Sequence, residues 1–152
     1  MKMRIKLSKL ARFTIYGMNG IATEVLYTAL WDFVAKGNWK WIGVSSSWAF
    51  VIYGLSCLFI EYLKPILVKS NIKLPFRAFI YMIWIFLWEF STGFLLKQFD
   101  ACPWDYSEWF NWNIMGVITL EYAPLWYCAS IFSEQYVIRL TNSLCWNDKH
   151  VE

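Results

Sequence analysis

The sequence predicts an all-α integral membrane protein, a four-helix bundle with its N- and C-termini both cytoplasmic. Three observations predict it. Four apolar runs are each long enough, at about 20 residues and 1.5 Å per residue, to cross a hydrocarbon layer of about 30 Å. Of the 152 residues 59% are hydrophobic and only 16% charged, against about 25% charged in an ordinary globular domain. The basic residues, finally, fall overwhelmingly on one side of the runs.

The first run spans 13–35. Its basic approach (Lys2, Arg4, Lys6, Lys9, Arg12) has the character of a signal-peptide n-region. The run is too long for one, carries Glu24 and offers no small-x-small cleavage site, so a retained helix is expected. The second run, 47–68, opens after Ser45, Ser46 and Ser47, a triplet suited to capping a helix start. Pro65 and Pro75 then bracket Lys69, Ser70, Asn71 and Lys73. Proline disfavours helix at both edges, which predicts a short turn. The third run is 76–98 and the fourth 114–139. Pro124 falls inside the fourth, as a packing kink or as the source of an unbonded Leu120 carbonyl beside Glu121. No linker or low-complexity tract interrupts residues 1–152, which read as a single polytopic membrane domain.

Orientation follows from the fourteen Lys and Arg residues. Eleven lie in the N-terminal tail, the 64–77 connection and the C-terminal tail; Lys36, Lys40 and Lys97 lie opposite. Both termini are therefore expected to be cytoplasmic. The net charge of +3 needs no nucleic-acid partner, because anionic lipids of the inner leaflet suffice. Cys57 and Cys128 fall within helices, Cys145 inside and Cys102 outside, so no intrachain disulfide is expected and a Cys102 link to another chain stays open. Trp31, Trp39, Trp41, Trp48, Trp104, Trp109 and Trp112 cluster beside the two outward connections. They form an interfacial belt or an aromatic cap folded over the bundle.

The strongest functional signal is a set of carboxylates in mid-run, Glu24, Glu89 and Glu121, with no basic residue expected to pair with them. An ionised carboxylate at the bilayer centre costs about 2.5–3.5 kcal/mol on insertion scales. Helical spacing puts Gly17, Gly20, Glu24, Thr28 and Trp31 on one face, and Tyr81, Ile85, Glu89 and Thr92 on another. Val117, Glu121, Pro124 and Cys128 share a third. The candidate buried polar site is thus Glu24, Thr28, Glu89, Thr92 and Glu121. The recurrence of Glu followed by Thr in two parallel helices suggests a duplicated two-helix hairpin. Three roles are open: neutral hydrogen bonds between helices, a cation or proton site, or recognition of a polar or cationic group. Glu61 and Glu134 read as boundary ion pairs with Lys64 and Arg139, outside the site.

The sole histidine, His150, lies in the C-terminal tail, so histidine-dependent catalysis and His-based metal sites are excluded. With no P-loop, the chain cannot hydrolyse nucleotide itself. No catalytic, cofactor-binding or metal-ligating residue is assigned, and no cofactor is expected.

Ala101-Cys102-Pro103-Trp104-Asp105-Tyr106-Ser107 and Gly116-Val117-Ile118-Thr119-Leu120-Glu121-Tyr122-Ala123 closely resemble the transmembrane protein 229 family, particularly its B-type members. Glu24, Asn38-Trp39-Lys40, Ser47-Trp48-Ala49, Ile52-Tyr53-Gly54 and Leu87-Trp88-Glu89-Phe90 agree. That family is similar to bacterial proteins labelled as type IV ABC-transporter permeases. The resemblance implies a small multi-pass membrane protein, and it singles out Glu24, Tyr53-Gly54, Glu89, Trp104-Asp105-Tyr106 and Gly116. Glu121 fits the B-type pattern better than the bacterial one. Cys102, Pro103, Trp104, Asp105 and Tyr106 form a candidate outer-loop signature, in which Asp105 makes an Asx-type turn or a binding clamp. The expected function is a non-enzymatic membrane component, with the lipid bilayer and a larger membrane protein or further copies of the chain as partners. Alternatives are a small permease or cation/proton-coupled transporter component and, third, a lipid-modifying enzyme.

Overall fold

The computed structural model describes residues 4–147; Lys2, Lys149 and His150 lie outside them. In chain order the elements are β1 (Arg4–Lys6), α1 (Lys9–Lys36), α2 (Ser47–Lys69), α3 (Leu74–Lys97), β2 (Asn113–Ile114), β3 (Ile118–Thr119), a 3-10 turn (Leu120–Tyr122), α4 (Ala123–Phe132), a π-helical turn (Ser133–Ile138), α5 (Arg139–Ser143) and β4 (Cys145–Asn147). The chain is predominantly helical, in keeping with the all-α expectation. It divides into two compact units, one running to Leu58 and resuming at Val137, the other spanning Phe59–Tyr136.

In the first unit α1 starts where Ser8 caps it, its hydroxyl accepting from the Ala11 N–H at 3.1 Å. It stops at Gly37, whose left-handed φ of 64° lets its N–H reach the Phe33 carbonyl, the usual glycine-terminated helix end. α2 begins after Ser46, whose hydroxyl accepts from Trp48 N–H at 3.2 Å, as the serine triplet predicts. α1 packs against the start of α2 in antiparallel register, Phe13 lying over Gly54 and Phe50 over Gly17. A β-carbon at Gly17 would stand 2.6 Å from the Phe50 carbonyl oxygen, so close backbone approach requires glycine there. Phe13 and Phe50 meet edge to face at 5.2 Å. β1 and β4 pair antiparallel, Lys6 opposite Cys145.

In the second unit the rest of α2 packs on α3, Phe59 stacking on Trp84 with ring centroids 3.8 Å apart, and α4 packs chiefly on α3. Pro75 starts α3 as expected, but Pro65 does not end α2. The helix runs through it to Lys69, because proline removes one N–H only and the following Ile66, Leu67 and Val68 carbonyls all find donors. Ser70, Ile72 and Asn71 supply those, with Asn71 at φ 55° closing the helix.

The largest departure is the fourth run. Residues 113–119 form a β-hairpin, not the start of a helix, and α-helix begins only at Ala123. Pro124 occupies the first turn of α4, where its missing N–H breaks nothing. It is therefore neither a mid-helix kink nor the source of a freed carbonyl, since Leu120 C=O accepts from the Ala123 N–H. Helix then continues past 139 to Ser143.

α2 and α3 are long and apolar enough to cross a bilayer, each with a mean hydropathy of 1.6 in its most apolar window. Only 22% and 17% of those windows is buried. Val51, Leu55, Ile66, Phe79, Ile83, Leu87 and Leu95 all turn outward.

Candidate functional site

Each sequence-predicted carboxylate sits in its own hydrogen-bonded setting. In the first unit, Glu24 and Thr28 share a face of α1 as their spacing predicts, and the segment after α1 folds back onto both. Ser45 Oγ donates to Glu24 Oε2 at 3.1 Å, and the Val44 N–H donates to Thr28 Oγ1 at 2.8 Å. Thr28 Oγ1 lies 2.9 Å from the carbonyl of Glu24 and 3.0 Å from that of Val44. Gly43 makes the approach possible: a β-carbon there would collide with the Val25 carbonyl.

In the second unit Glu89 receives the Tyr106 hydroxyl at 3.0 Å. That contact joins the mid-helix carboxylate to the outer-loop signature, two features the sequence singled out separately. Thr92 does not share in it, its hydroxyl bonding back to the Trp88 carbonyl of its own helix at 2.8 Å.

The loop is itself tightly organised. Trp104 donates its indole N–H to the Val117 carbonyl at 2.9 Å, and the Tyr106 N–H donates to Gly116 C=O at 2.8 Å. Asp105 Oδ1 accepts from the Ser107 N–H at 2.8 Å, the Asx-type turn expected from the sequence. Lys97, at the end of α3, reaches both Asp105 Oδ2 at 3.1 Å and the Met115 carbonyl at 2.8 Å. These bonds hold the Asp105 carboxyl low, down to about 2, the Ser107 bonds contributing most and Lys97 next. Burial pushes the Cys102 thiol up. Two glycines let the layers meet. A β-carbon on Gly93 would strike Val117 and Trp104, and one on Gly116 (φ 66°) would strike Asp105 and Ser107. Beside the signature lies an open depression of about 410 Å³ lined by Lys97, Asp100, Cys102, Pro103, Trp104 and Asp105.

Glu121 departs from expectation. It lies in the 3-10 turn, not on a helix face, and its carboxylate accepts from the Trp112 N–H at 3.0 Å and from the Thr119 hydroxyl. Its work is to close the 112–121 loop, and the stripe Val117–Glu121–Pro124–Cys128 does not exist because α4 begins only at Ala123, after Val117 and Glu121.

Glu134 is the second correction. The sequence places it at a boundary with Arg139; the structure buries it completely, at 0% exposure. Arg77, in the first turn of α3, grips it through two bonds, Nη2 to Oε1 at 2.6 Å and Nε to Oε2 at 2.9 Å. Arg77 Nη1 also donates to Ile72 C=O at 2.7 Å, Lys64 Nζ to the Glu134 carbonyl at 3.3 Å, and Gln135 Nε2 to Oε1 at 3.0 Å. The fully buried Tyr81 lies beside the pair. The π-helical turn that carries Glu134 is the kind of helix irregularity that gathers at functional positions.

Chemically, the Glu24 cluster offers one carboxylate with the Ser45 and Thr28 hydroxyls, and the Glu89 cluster one carboxylate with the Tyr106 hydroxyl. Among the described residues no three His, Cys, Asp or Glu side chains converge as a metal would require. No solved structure matches the chain. A family profile described as "Putative ABC-transporter type IV" matches residues 11–151, a span that takes in both carboxylate clusters, the outer loop and the Arg77–Glu134 pair, and the chain belongs to that family.

Proposed function

We propose that this chain is a multi-pass integral membrane protein of the transmembrane protein 229 type, with four spanning helices and both termini cytoplasmic. It acts as a non-enzymatic membrane component, assembling with a larger membrane protein or with further copies of itself. The membrane reading is supported by the outward apolar faces of α2 and α3: the core helix of a soluble protein would be mostly buried, and these are not. The basic residues support the orientation. Eleven of the fourteen Lys and Arg residues lie on the side assigned to the cytoplasm, and the rule counts those residues and not net charge. Trp39, Trp109 and Trp112 are 80%, 66% and 69% exposed, as an interfacial belt requires, whereas Trp104 is spent inside the loop.

One observation carries the component reading. Glu24 and Glu89 are each fastened by a hydroxyl from the outer segment that follows their own helix. A carboxylate used that way holds a loop to a helix and does not line a path. The family description favours a second reading, a subunit of a transport system whose nucleotide hydrolysis would come from another chain. Purified wild type, Glu24→Gln and Glu89→Gln, compared across pH and a panel of cations and lipids, separate the two. The component reading expects no ligand response that the Gln variants abolish and no flux from liposomes holding the chain alone. A cation- or pH-dependent flux abolished by either variant would sink it. Membrane-impermeant thiol labelling should reach Cys102 from outside and Cys145 only after permeabilisation; both labelling from one side would refute the topology.

A further inference from the structure

Between Lys9 and Glu24 three neutral polar side chains of α1 are exposed: Thr14, Asn19 and Thr23. Two of them are satisfied by their own helix. Thr14 Oγ1 donates to the Leu10 carbonyl at 3.0 Å, and Thr23 Oγ1 to the Asn19 carbonyl at 2.8 Å. The Asn19 carboxamide is the exception, since nothing among the described residues bonds it. It is also the one side-chain amide in α1, α2 and α3. It stands about 15 Å along the helix from Lys9, well inside the apolar run.

Counted from Asn19 by threes and fours, Ala22, Thr23, Leu26 and Leu30 share its face. All four are exposed, Leu26 at 66% and Leu30 at 47%. Gly17 and Gly20 turn the other way, under Phe50 and Tyr53 of α2, and Glu24 turns toward Ser45. The helix thus spends one side on its own unit and leaves the Asn19 side uncovered.

Acyl chains offer a carboxamide neither donor nor acceptor, so an amide left facing them forfeits its hydrogen bonds. Its occupant must supply both at the same depth. A second copy does so with no further requirement. Two copies inserted in one orientation hold Asn19 at equal depth, and two carboxamides facing across a two-fold axis exchange N–H···O bonds reciprocally. Ala22 and Thr23, one turn on, have side chains short enough for a second helix to come near. From Asn19 to Leu30 the face carries no charge, so it selects no charged partner.

We propose that two copies of the chain meet on this face, α1 against α1 in parallel, with the Asn19 carboxamides bonded to each other. The proposal rests on the membrane reading above, under which α1 spans the bilayer, and it chooses between the two kinds of assembly named there.

The test is sedimentation equilibrium of the full chain in detergent, over a range of protein-to-detergent ratios. Wild type should show a reversible monomer–dimer equilibrium. Asn19→Leu removes two interhelical bonds per dimer and should weaken association roughly tenfold, while Asn19→Gln keeps the amide and should retain most of it. Asn19 bonds nothing within the chain, so neither variant should shift thermal unfolding of the monomer. Oxidative cross-linking in membranes reads the face by a second route. Leu26→Cys should join copies, whereas Leu87→Cys, on the exposed side of α3, should add nothing to the background of the four native cysteines. A wild type that stays monomeric at the highest ratio would overturn the second copy. A dimer that Asn19→Leu leaves intact, or that Leu87→Cys links in preference to Leu26→Cys, would overturn the face. The thiol-labelling topology can stand while the chain proves monomeric, and then this proposal alone falls; labelling of Cys102 and Cys145 from one side removes the membrane reading whatever the association state.

Discussion

Replacing Glu134 with glutamine should be among the most damaging single changes in the chain. The carboxylate is 1% exposed and Arg77 13%, so the pair has little water to fall back on. Two of the three Arg77 bonds end on Glu134, and the third ends on Ile72. Glutamine removes the negative charge, sets an amide NH2 where one acceptor oxygen was, and leaves the guanidinium buried with neutral acceptors only. Breaking a buried pair in this way costs about 3–5 kcal/mol, whereas replacing both partners by apolar residues of similar volume is often neutral. Glu134→Gln should therefore lower stability by about 3–5 kcal/mol, and Arg77→Met with Glu134→Leu by less than either single change. Lys64→Gln is the internal control, losing one 3.3 Å bond to a carbonyl and about 1 kcal/mol at most. Denaturant unfolding in detergent, followed by the fluorescence of the 11 tryptophans, reads wild type, Glu134→Gln, Lys64→Gln, the double variant and its two component singles. A Glu134→Gln protein within about 0.5 kcal/mol of wild type, or a double variant worse than both singles, would refute the reasoning, since the ion pair would then not carry its burial.

Tyr106→Phe deletes the hydroxyl that reaches Glu89 and should cost about 1.5–3 kcal/mol; a double cycle with Glu89→Gln should show coupling, and strict additivity would mean the two do not interact. Gly116→Ala meets both a positive φ and the Asp105 and Ser107 side chains, and should loosen the loop by at least about 1 kcal/mol, seen as faster proteolysis between 100 and 118. Asp105 has its carboxyl held at about 2 against an ordinary 3.8, so its contribution is fully present above the ordinary value and is lost as pH falls through about 2. Hydrogen exchange of the loop amides should rise over that window in wild type, and Asp105→Asn should flatten the change. The Cys102 thiol, raised above its ordinary 9.0, should alkylate at a rate still climbing past pH 9; a plateau near neutrality would contradict its burial.

What the sequence made legible was local. The one-turn spacing of Glu24 and Thr28 put both on one face, and both receive bonds there from a single short segment. The signature around Asp105 read correctly as an Asx-type turn. What it hid had two causes. In 114–122 the apolar run looked helical because it is long, yet Ile114, Val117, Ile118 and Thr119 are β-branched residues around Gly116, the composition of a hairpin. Met115 concealed the turn, since it takes the left-handed conformation (φ 55°) that Asn or Gly would have announced. Arg77 and Glu134 are 57 residues apart, and no local period joins them. Arg139, near in sequence, drew the assignment, and the π-helical turn breaks the spacing by which any helical neighbour would have been chosen.

The suspected repeat changes its meaning on the same grounds. Glu24 is met by a serine 21 residues on, and Glu89 by a tyrosine 17 residues on. The donors differ in type, in distance and in the backbone that presents them, and only Thr28, not Thr92, reaches beyond its own helix. A duplication judged by residue identity would therefore look weak even if the two halves obey one rule: a carboxylate midway along a helix receives a hydroxyl from the segment that follows it. Desolvation penalises an unpartnered carboxylate whatever surrounds it, and an arriving hydroxyl offsets part of that penalty. Each Glu thus shares one physical requirement, a donor from the segment that follows it, which a serine meets in one half and a tyrosine in the other.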